Sequence, residues 1–314
     1  MLAFIAKRLA VSALLLVVIS LLVFGLLQLS PGSVVTTLLG GRASTPDAIR
    51  EITQRYHLDD PFLVQYGHWL GGALHGDLGR STQSGATVTS VIGDHLPVTL
   101  QLVGFALALI LLVGLPLGIL SGLRHGGRLD GAVSGFTIVA MSAPTFSLGI
   151  LLIYVFGVKL DWLPSYGAGE GGDRLLHLTL PAITLACGLG GLLIRQVRGA
   201  VMDVMQRDYV TFARARGLSP SRILVRYALR NSAVPIITAT GLLTIIALSG
   251  GVLVEQVFSI SGVGRLLVGS VNAKDIPVVQ GLALTVAALV LLVNLLADLA
   301  ARLLDPRLRQ RTGA

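Results

Sequence analysis

Five arginines and no carboxylate lie between Tyr209 and Pro235, in a chain of 314 residues of which only 13% are charged. The guanidinium group of arginine is a planar, permanently charged fork that pairs well with carboxylates and phosphates. Such a basic block suits docking onto acidic groups of another protein. It equally suits a loop that its positive charge retains on the cytoplasmic side of a membrane. Both interpretations stay open on the residues alone.

The middle of the basic block predicts a break between two helices. Gly217 allows a sharp turn or a left-handed backbone. Ser219 is a suitable helix cap, and Pro220 suits the first position of the helix that follows it. We therefore expect residues 197–230 to form a cytoplasmic loop that is helical on both sides of Gly217.

The usual groups for catalysis are missing from the sequence. None of the three lysines, Lys7, Lys159 and Lys274, follows a glycine, so there is no P-loop for ATP. No G-x-S-x-G or H-E-x-x-H pattern occurs, and the histidines lie in or beside predicted loops. The single cysteine, Cys187, allows no intrachain disulfide. We expect a chain that is not an enzyme and that binds no metal ion or cofactor itself.

Long apolar segments make up most of the chain. Mean hydropathy is +0.80 and 53% of the residues are hydrophobic, which is too apolar for an ordinary soluble domain. A bilayer core about 30 Å thick needs roughly 20 apolar residues in a helix. Six membrane helices in an all-α integral membrane fold are predicted from the segments that lack charged residues and histidine, at 9–41, 96–123, 131–158, 178–194, 231–254 and 276–297.

The basic residues lie mostly on one side of these six segments. That side holds both termini and sixteen of the 24 lysines and arginines, among them eight arginines from Arg195 to Arg230. Because basic residues in short loops stay in the cytoplasm, we predict that both termini are cytoplasmic. The first apolar segment is longer than a signal peptide requires and has no small-residue cleavage site, so we expect it to remain as a helix.

These segments divide the chain into three parts. Residues 1–29 hold the N-terminal segment and the first membrane helix, 30–97 an extracytoplasmic segment, and 98–314 a core with five membrane helices. Glycine-rich or flexible loops are predicted at 159–177 and 255–275.

The extracytoplasmic segment is predicted to be largely helical. Ser44 or Thr45 would cap a helix that begins at Pro46. A second helix is expected at Phe62–Leu70, and a third, short helix at the surface over Val88–Leu96.

The membrane segments offer weakly polar residues and almost no charges. One carboxylate, Asp298, lies directly after the last segment, and an ion pair with Arg302 one helical turn later explains it. Small residues in membrane helices serve either close packing or a pathway for a polar solute, and such a pathway has no energy source of its own. The candidates for pathway lining are Ser142, Thr145, Ser147, Thr240, Thr244 and Ser249.

The stretch ARARGLSPSRILVRYALRNSAVP resembles the cytoplasmic signature loop of binding-protein-dependent ABC importer permeases. It is most similar to the dipeptide, oligopeptide and nickel transport subfamily, and within that subfamily to the dipeptide permeases. The broad consensus Glu-Ala-Ala-x-x-x-Gly is only partly present, because Thr211, Phe212 and Ala213 stand at its first three positions. Further similar stretches are LDDPFLVQYGHWLGGALHGDLGRS, LPVTLQL, APTFSLGILLIYVFG, RQVRGAVMDVMQRDYV and VEQVFSISGVGRLL.

The resemblance implies a type I importer fold in a bacterial inner membrane. It implies three kinds of partner: a second homologous permease subunit, two ATPase subunits that bind ATP and Mg, and an external solute-binding protein. The residues that would couple to an ATPase subunit are Ala213, Arg214, Ala215, Arg216, Gly217, Leu218 and Ser219.

The solute is not set by these residues, since di- and oligopeptides, nickel and similar small solutes all fit the subfamily. Nucleic acid is not expected as a partner, because the positive charge is spread over loops between membrane segments. The alternative function is an autonomous secondary transporter.

Overall fold

The computed structural model describes residues 2–25, 34–39, 45–55 and 57–304. Apart from one isolated bridge between Arg80 and Thr87, the regular structure of these residues is helical. The helices are α1 (Leu2–Gly25), α2 (Val34–Leu39), α3 (Pro46–Arg55), α4 (Phe62–Leu74), α5 (Val88–Leu109), α6 (Leu115–Leu123), α7 (Arg128–Ser142), α8 (Thr145–Leu152), α9 (Arg174–Met205), α10 (Asp208–Ala215), α11 (Pro220–Ile223), α12 (Arg230–Val257), α13 (Val263–Asn272) and α14 (Ile276–Leu304).

Three π-helical turns and one short 3₁₀ turn complete the helical structure of the described residues. The π turns are Ile110–Gly114 between α5 and α6, Ile153–Lys159 after α8 and Leu224–Leu229 between α11 and α12. The 3₁₀ turn, Gly171–Asp173, leads into α9. Two of the π turns therefore join consecutive α-helices into one continuous helical segment each, α5 with α6 and α11 with α12.

Five helical segments among the described residues are long and apolar enough to cross a membrane: Ala3–Gly25, Val88–Leu123, Gly171–Met205, Pro220–Val257 and Ile276–Leu304. The sixth predicted span is a bent pair, Arg128–Ser142 and Thr145–Lys159, with an angle of 99°. Ala143 is extended, with ψ 124°, because the ring of Pro144 disfavours a helical backbone at the residue before it. The predicted total of six is reached when the bent pair is one span.

The described residues form two compact units: those within 1–99 and 261–291, and those within 100–260 and 292–304. This grouping differs from the predicted division at 97/98, because residues 261–291 pack with the N-terminal part. The predicted boundary also falls inside α5, which contains Pro97. The predicted short surface helix Val88–Leu96 is right in its start and wrong in its position and end, because the helix continues to Leu109 and its Val88 and Ile92 are buried in an apolar cluster with Val278 and Leu282.

In the first unit, a buried carboxylate holds two distant segments together. Asp275 is 3% exposed and accepts hydrogen bonds from the Ser81 hydroxyl at 2.5 Å and from the Thr82 amide at 3.1 Å. The Gln83 side-chain nitrogen donates to the Ala273 carbonyl at 3.0 Å. The predicted loop at 255–275 is wrong in part, because α12 continues to Val257 and α13 occupies Val263–Asn272.

In the extracytoplasmic segment, the predicted starts of α3 and α4 agree with the structure. The Ala48 amide donates to the Thr45 hydroxyl at 3.3 Å, which confirms the predicted cap, while Ser44 lies outside the described residues. The helix that begins at Phe62 continues four residues beyond the predicted end at Leu70.

The second unit is built on α9. Gly118 and Gly122 of α6 lie against this helix so closely that a Cβ atom would come within 2.8 Å of the Val197 Cβ and within 2.9 Å of the Arg198 carbonyl oxygen. Small residues four apart allow membrane helices to approach in this way. The predicted fourth span at 178–194 extends at both ends, as expected for so short an apolar segment. Close packing of α6 therefore fixes the position of α9 around Val197 and Arg198. The C-terminal end of α9 leads into the basic loop.

Candidate functional site

The basic loop forms a compact turn between two helices. The Leu218 amide donates to the Ala213 carbonyl at 3.2 Å and the Gly217 amide to the Arg214 carbonyl at 2.9 Å. These two bonds are the Schellman pattern that closes a helix C-terminus, and the pattern needs a left-handed residue between the two helices. Gly217 has φ +76°, which confirms the predicted left-handed glycine.

A small apolar core belongs to the loop itself. Val204, Val210, Ala213 and Ile223 are buried together, and Leu218 packs against them. Apolar packing at the position of Leu218 commonly accompanies a Schellman turn. The loop therefore has its own packing to define its shape, in addition to the helices that it connects.

The outer surface of the loop is basic and aromatic. Phe212 is 68% exposed and Tyr209 is 42% exposed, while the Tyr209 ring stacks on Tyr227 with centroids 6.0 Å apart. Exposed aromatic and arginine side chains are the commonest anchors of protein–protein interfaces. The exposed arginines within residues 197–230 are Arg207, Arg214, Arg216, Arg222, Arg226 and Arg230.

The predicted coupling residues divide between the core and the surface. Ala213 is buried and Leu218 is half-buried, so both shape the turn. Arg214, Ala215 and Arg216 are exposed, as are Gly217 and Ser219. Ser219 occupies the predicted cap position before Pro220, but its side chain makes no capping hydrogen bond.

Phe212 is missing from the predicted coupling set. It stands at the second position of the partly matched consensus, where a small alanine is usual. Its position one residue before buried Ala213 in a short amphipathic helix is the signal that could have identified it.

One arginine that precedes the basic block, Arg198 of α9, has a structural role. The Arg198 Nε donates to Asp130 Oδ1 at 2.6 Å, and Arg198 Nη2 donates to Oδ2 at 2.9 Å. Asp130, which is 4% exposed, also accepts from the Ser121 hydroxyl at 2.6 Å and from the Gly126 amide at 2.9 Å. A two-pronged pair of this kind is both strong and geometrically specific. It ties α9 to the first turn of α7, and through the Gly126 amide to the connection 124–127.

His125 completes this network from the surface side. Its Nδ1 lies 3.0 Å from Arg198 Nη2 and 3.2 Å from Asp130 Oδ2. Because a guanidinium N–H can only donate, Nδ1 accepts from Arg198 and the ring proton is assigned to Nε2.

Four of the six predicted pathway residues use their hydroxyl protons within their own helices. Ser142 donates to the Ile138 carbonyl at 2.8 Å and Ser249 to the Ile245 carbonyl at 3.2 Å. The hydroxyls of Thr240 and Thr244 bond to the carbonyls four residues earlier in the same manner, at 2.9 and 2.8 Å. Such groups keep free lone pairs, so they can still accept weak hydrogen bonds from a passing solute.

The pathway candidates do not form one line in the structure. Thr240 and Thr244 share a face of α12, but Ser249 is about 140° around the helix from Thr244. Ser142 ends α7, Thr145 begins α8 beyond the bend, and Ser147 is exposed. Their role in a pathway stays a prediction.

Residues 114–310 match the family described as "Binding-protein-dependent transport system inner membrane component". The N-terminal family of the same transport systems matches residues 1–103. The chain belongs to this family. It is a multi-pass inner-membrane permease subunit of an ABC importer, and the predicted resemblance is confirmed.

Curated relatives match this permease over nearly its whole length. The probable peptide ABC transporter permease protein y4tP of Sinorhizobium fredii is 34% identical over 310 residues, with 98% of this chain and 99% of that protein covered. The oligopeptide transport system permease protein AppB of Bacillus subtilis is 35% identical over 315 residues, with the same coverage.

Solved structures show the same fold for much of the permease. A chain of the MetNI methionine ABC transporter, in an inward-facing conformation, aligns with TM-score 0.57 at 18% identity, covering 68% of this chain and 96% of that chain. An amino acid ABC transporter crystallised with histidines aligns with TM-score 0.53 at 18% identity, covering 68% of this chain and 94% of that chain. At such low identity the likeness concerns the fold, and it confirms the predicted type I importer architecture.

Proposed function

We propose that this permease carries di- or oligopeptides and that ATPase subunits drive it through residues 206–219, the part of the basic loop that surrounds Gly217. Both the loop and the termini would face the cytoplasm. A second homologous permease subunit would complete the pore, two ATPase subunits would bind ATP and Mg, and an external solute-binding protein would deliver the peptide. The chain itself would be neither an enzyme nor a cofactor-binding protein.

One observation carries the docking proposal: the loop has its own apolar core and directs aromatic and basic side chains outward. Phe212 and Arg216 are exposed beside a helix whose inner side is packed through Val210 and Ala213. A surface segment that is rigid before it meets a partner loses little conformational entropy on binding. The arginines favour a partner groove that contains carboxylates.

The peptide cargo is supported by the names of the relatives, which describe peptide and oligopeptide permeases. The permease also offers the weakly polar hydroxyls described above, which could accept hydrogen bonds from peptide amides. Nickel or another small solute is the competing cargo within the subfamily.

The docking proposal is tested by replacing Gly217 with proline. Proline fixes φ near −65° and cannot adopt the φ of +76° found here. We expect Gly217→Pro to insert into the membrane at normal abundance, to lose the co-purifying ATPase subunit and to lose uptake. Gly171→Pro is the matched control, because Gly171 also has positive φ (+54°) but lies before α9, away from the basic loop. Normal uptake by Gly217→Pro at normal abundance would refute the coupling role.

The cargo is tested by peptide uptake in cells that lack the chromosomal copy of this permease. Restoration of growth on di- and tripeptides as the source of a required amino acid supports the proposal, and restored nickel uptake without peptide uptake refutes it. The alternative of a secondary transporter is tested with the purified chain in liposomes. Solute movement without ATP or an ATPase subunit would favour that alternative.

A further inference from the structure

We propose that the segment between α3 and α4 contains a binding site for a divalent transition-metal ion, formed by His57, Asp60 and His68. One ligand atom from each of these three residues lies within 4.8 Å of the others. His57 Nδ1 and Asp60 Oδ2 are 3.5 Å apart, close to the separation of two ligands on one tetrahedral ion with bonds of about 2.0–2.1 Å. The site is independent of the proposed transport function.

The second histidine of the site comes from the neighbouring helix. His68 lies in the middle of α4, and its ring stacks on that of His57 with centroids 4.2 Å apart and an interplanar angle of 10°. Both side chains are exposed, so their rings can rotate by the small amount that brings two nitrogens onto one ion. A bound ion would therefore link the turn after α3 to the body of α4.

The backbone at His57 forms a defined turn. The Leu58 amide bonds to the Thr53 carbonyl at 3.0 Å and the His57 amide to the Gln54 carbonyl at 3.4 Å, the same Schellman pattern that is seen at Gly217. His57 occupies the left-handed position, with φ +52°, where glycine is preferred. This turn fixes the backbone from which the His57 side chain extends, and it places Nδ1 of His57 3.5 Å from Asp60 Oδ2.

A buried glutamine supports the turn that carries two of the ligands. Gln65 is 6% exposed, and its side-chain nitrogen donates to the carbonyls of Leu58 at 3.2 Å and Asp60 at 2.8 Å. Because both contacts are carbonyl oxygens, the nitrogen must face them, and the buried Oε1 then has no hydrogen-bond partner within the described residues. Gln65 consequently acts as a positioning residue for the ligand turn.

The site borders an open cleft. His57, His68 and Gln65 line a cleft of 620 Å³ together with His75 and Asp77. The cleft gives a hydrated ion access to the cluster and leaves coordination positions for water. Two imidazoles and one carboxylate suit Zn²⁺, Cu²⁺ or Ni²⁺ better than Ca²⁺ or Mg²⁺, which prefer all-oxygen ligands.

The spacing of these residues explains why the sequence alone predicts no metal site. His57 and Asp60 are near neighbours, but the third ligand follows only after a helix start, and the separation becomes short because α4 folds back over the turn.

The test uses the full chain, purified in detergent without a polyhistidine tag and stripped with a chelator. Calorimetric titration with Zn²⁺ alone should show one ion per chain, and titration with Co²⁺ should produce visible absorption bands of low-coordinate cobalt. We expect His68→Asn and Asp60→Asn each to weaken Zn²⁺ binding at least about tenfold, and Gln65→Leu to weaken it by roughly 10- to 100-fold as a supporting residue does.

His95→Asn is the matched control, because His95 also lies on a helix of the first unit, with its ring nitrogen 2.8 Å from the Val91 carbonyl. This variant should bind Zn²⁺ like the wild type. Unfolding of each variant without metal should match the wild type for His68→Asn and Asp60→Asn, since neither side chain is buried. Absence of Zn²⁺ binding by the folded wild type, or wild-type affinity in both His68→Asn and Asp60→Asn, would overturn the proposal.

Discussion

The connection at 124–127 and the loop at 206–219 use arginine in opposite ways. Near the first, the guanidinium group of Arg198 is directed inward and pairs with the buried carboxylate of Asp130. In the second, Arg214 and Arg216 are exposed around a core formed by apolar side chains. An ion pair fixes one connection, and apolar packing leaves the charges of the other available to a partner. The residue type alone therefore does not reveal which arginines belong to the interface.

The largest loss of folding stability is expected from Arg198→Ala, which removes the ion pair with Asp130 beside the connection at 124–127. Removing one partner of a buried ion pair leaves an uncompensated charge and destabilises a protein by about 3–5 kcal/mol. The free energy of unfolding, measured by denaturant titration in detergent, should fall by that amount. Arg198→Lys should recover only part of the loss, because an ammonium group lacks the planar fork. Stability of Arg198→Ala equal to that of the wild type would show that the pair contributes nothing.

A smaller loss is expected from Ile223→Ala, which breaks the core of the outward-facing loop. Ile223 is 3% exposed, and truncation of a buried isoleucine costs about 2–5 kcal/mol. We expect the lower end of that range, because the core of the loop contains few residues and can partly collapse. Limited proteolysis should show faster cleavage between residues 206 and 219. Arg222→Ala, which changes an exposed neighbour, should leave the cleavage rate unchanged.

The third variant, Phe212→Ala, is expected to weaken ATPase binding without changing folding stability. Phe212→Ala removes an exposed ring, so the free energy of unfolding should stay within about 0.5 kcal/mol of the wild type. Affinity for the ATPase subunit should fall by roughly tenfold or more, as expected for an aromatic anchor. Surface-immobilised permease with purified ATPase subunit would give the two dissociation constants. An unchanged dissociation constant would remove Phe212 from the interface.

The smallest effect on stability is expected from Arg216→Ala, the counterpart of Arg198→Ala. Since Arg216 is exposed, the free energy of unfolding should change by less than about 0.5 kcal/mol. Its contribution should appear instead in the salt dependence of ATPase binding, which exposed charges control through the rate of association. A large loss of folded protein would contradict the division between anchored and available arginines.

Much of the architecture could be predicted from the sequence because apolar segments of membrane length leave little choice. The location of the spans and the turn at Gly217 follow from local residues, and the structure confirms them. The bend at Ala143–Pro144 is not predicted although Pro144 is visible in the sequence, because proline inside membrane helices is often tolerated, as it is at Pro97.

Tertiary contacts decide the features that the sequence predicts wrongly or does not reveal. The first turns of α5 resemble a surface helix in the sequence, but Val88 and Ile92 are buried against residues far away along the chain. Arg198 cannot be separated from its neighbours without knowing that Asp130 lies opposite. The glycines at 114, 118 and 122 do carry a readable signal, since their spacing of four marks one closely packed helix face.

The π turn at Leu224–Leu229 has a consequence for how this chain tolerates changes in length. A π turn holds one residue more than the corresponding α turn, and one residue corresponds to about 100° of rotation around a helix. Deleting a single residue there would restore a regular α-helix and turn every side chain of the preceding loop by that angle relative to α12. Loss of a single codon in this turn would therefore change the direction in which the arginines of the loop face, although the arginines themselves would remain.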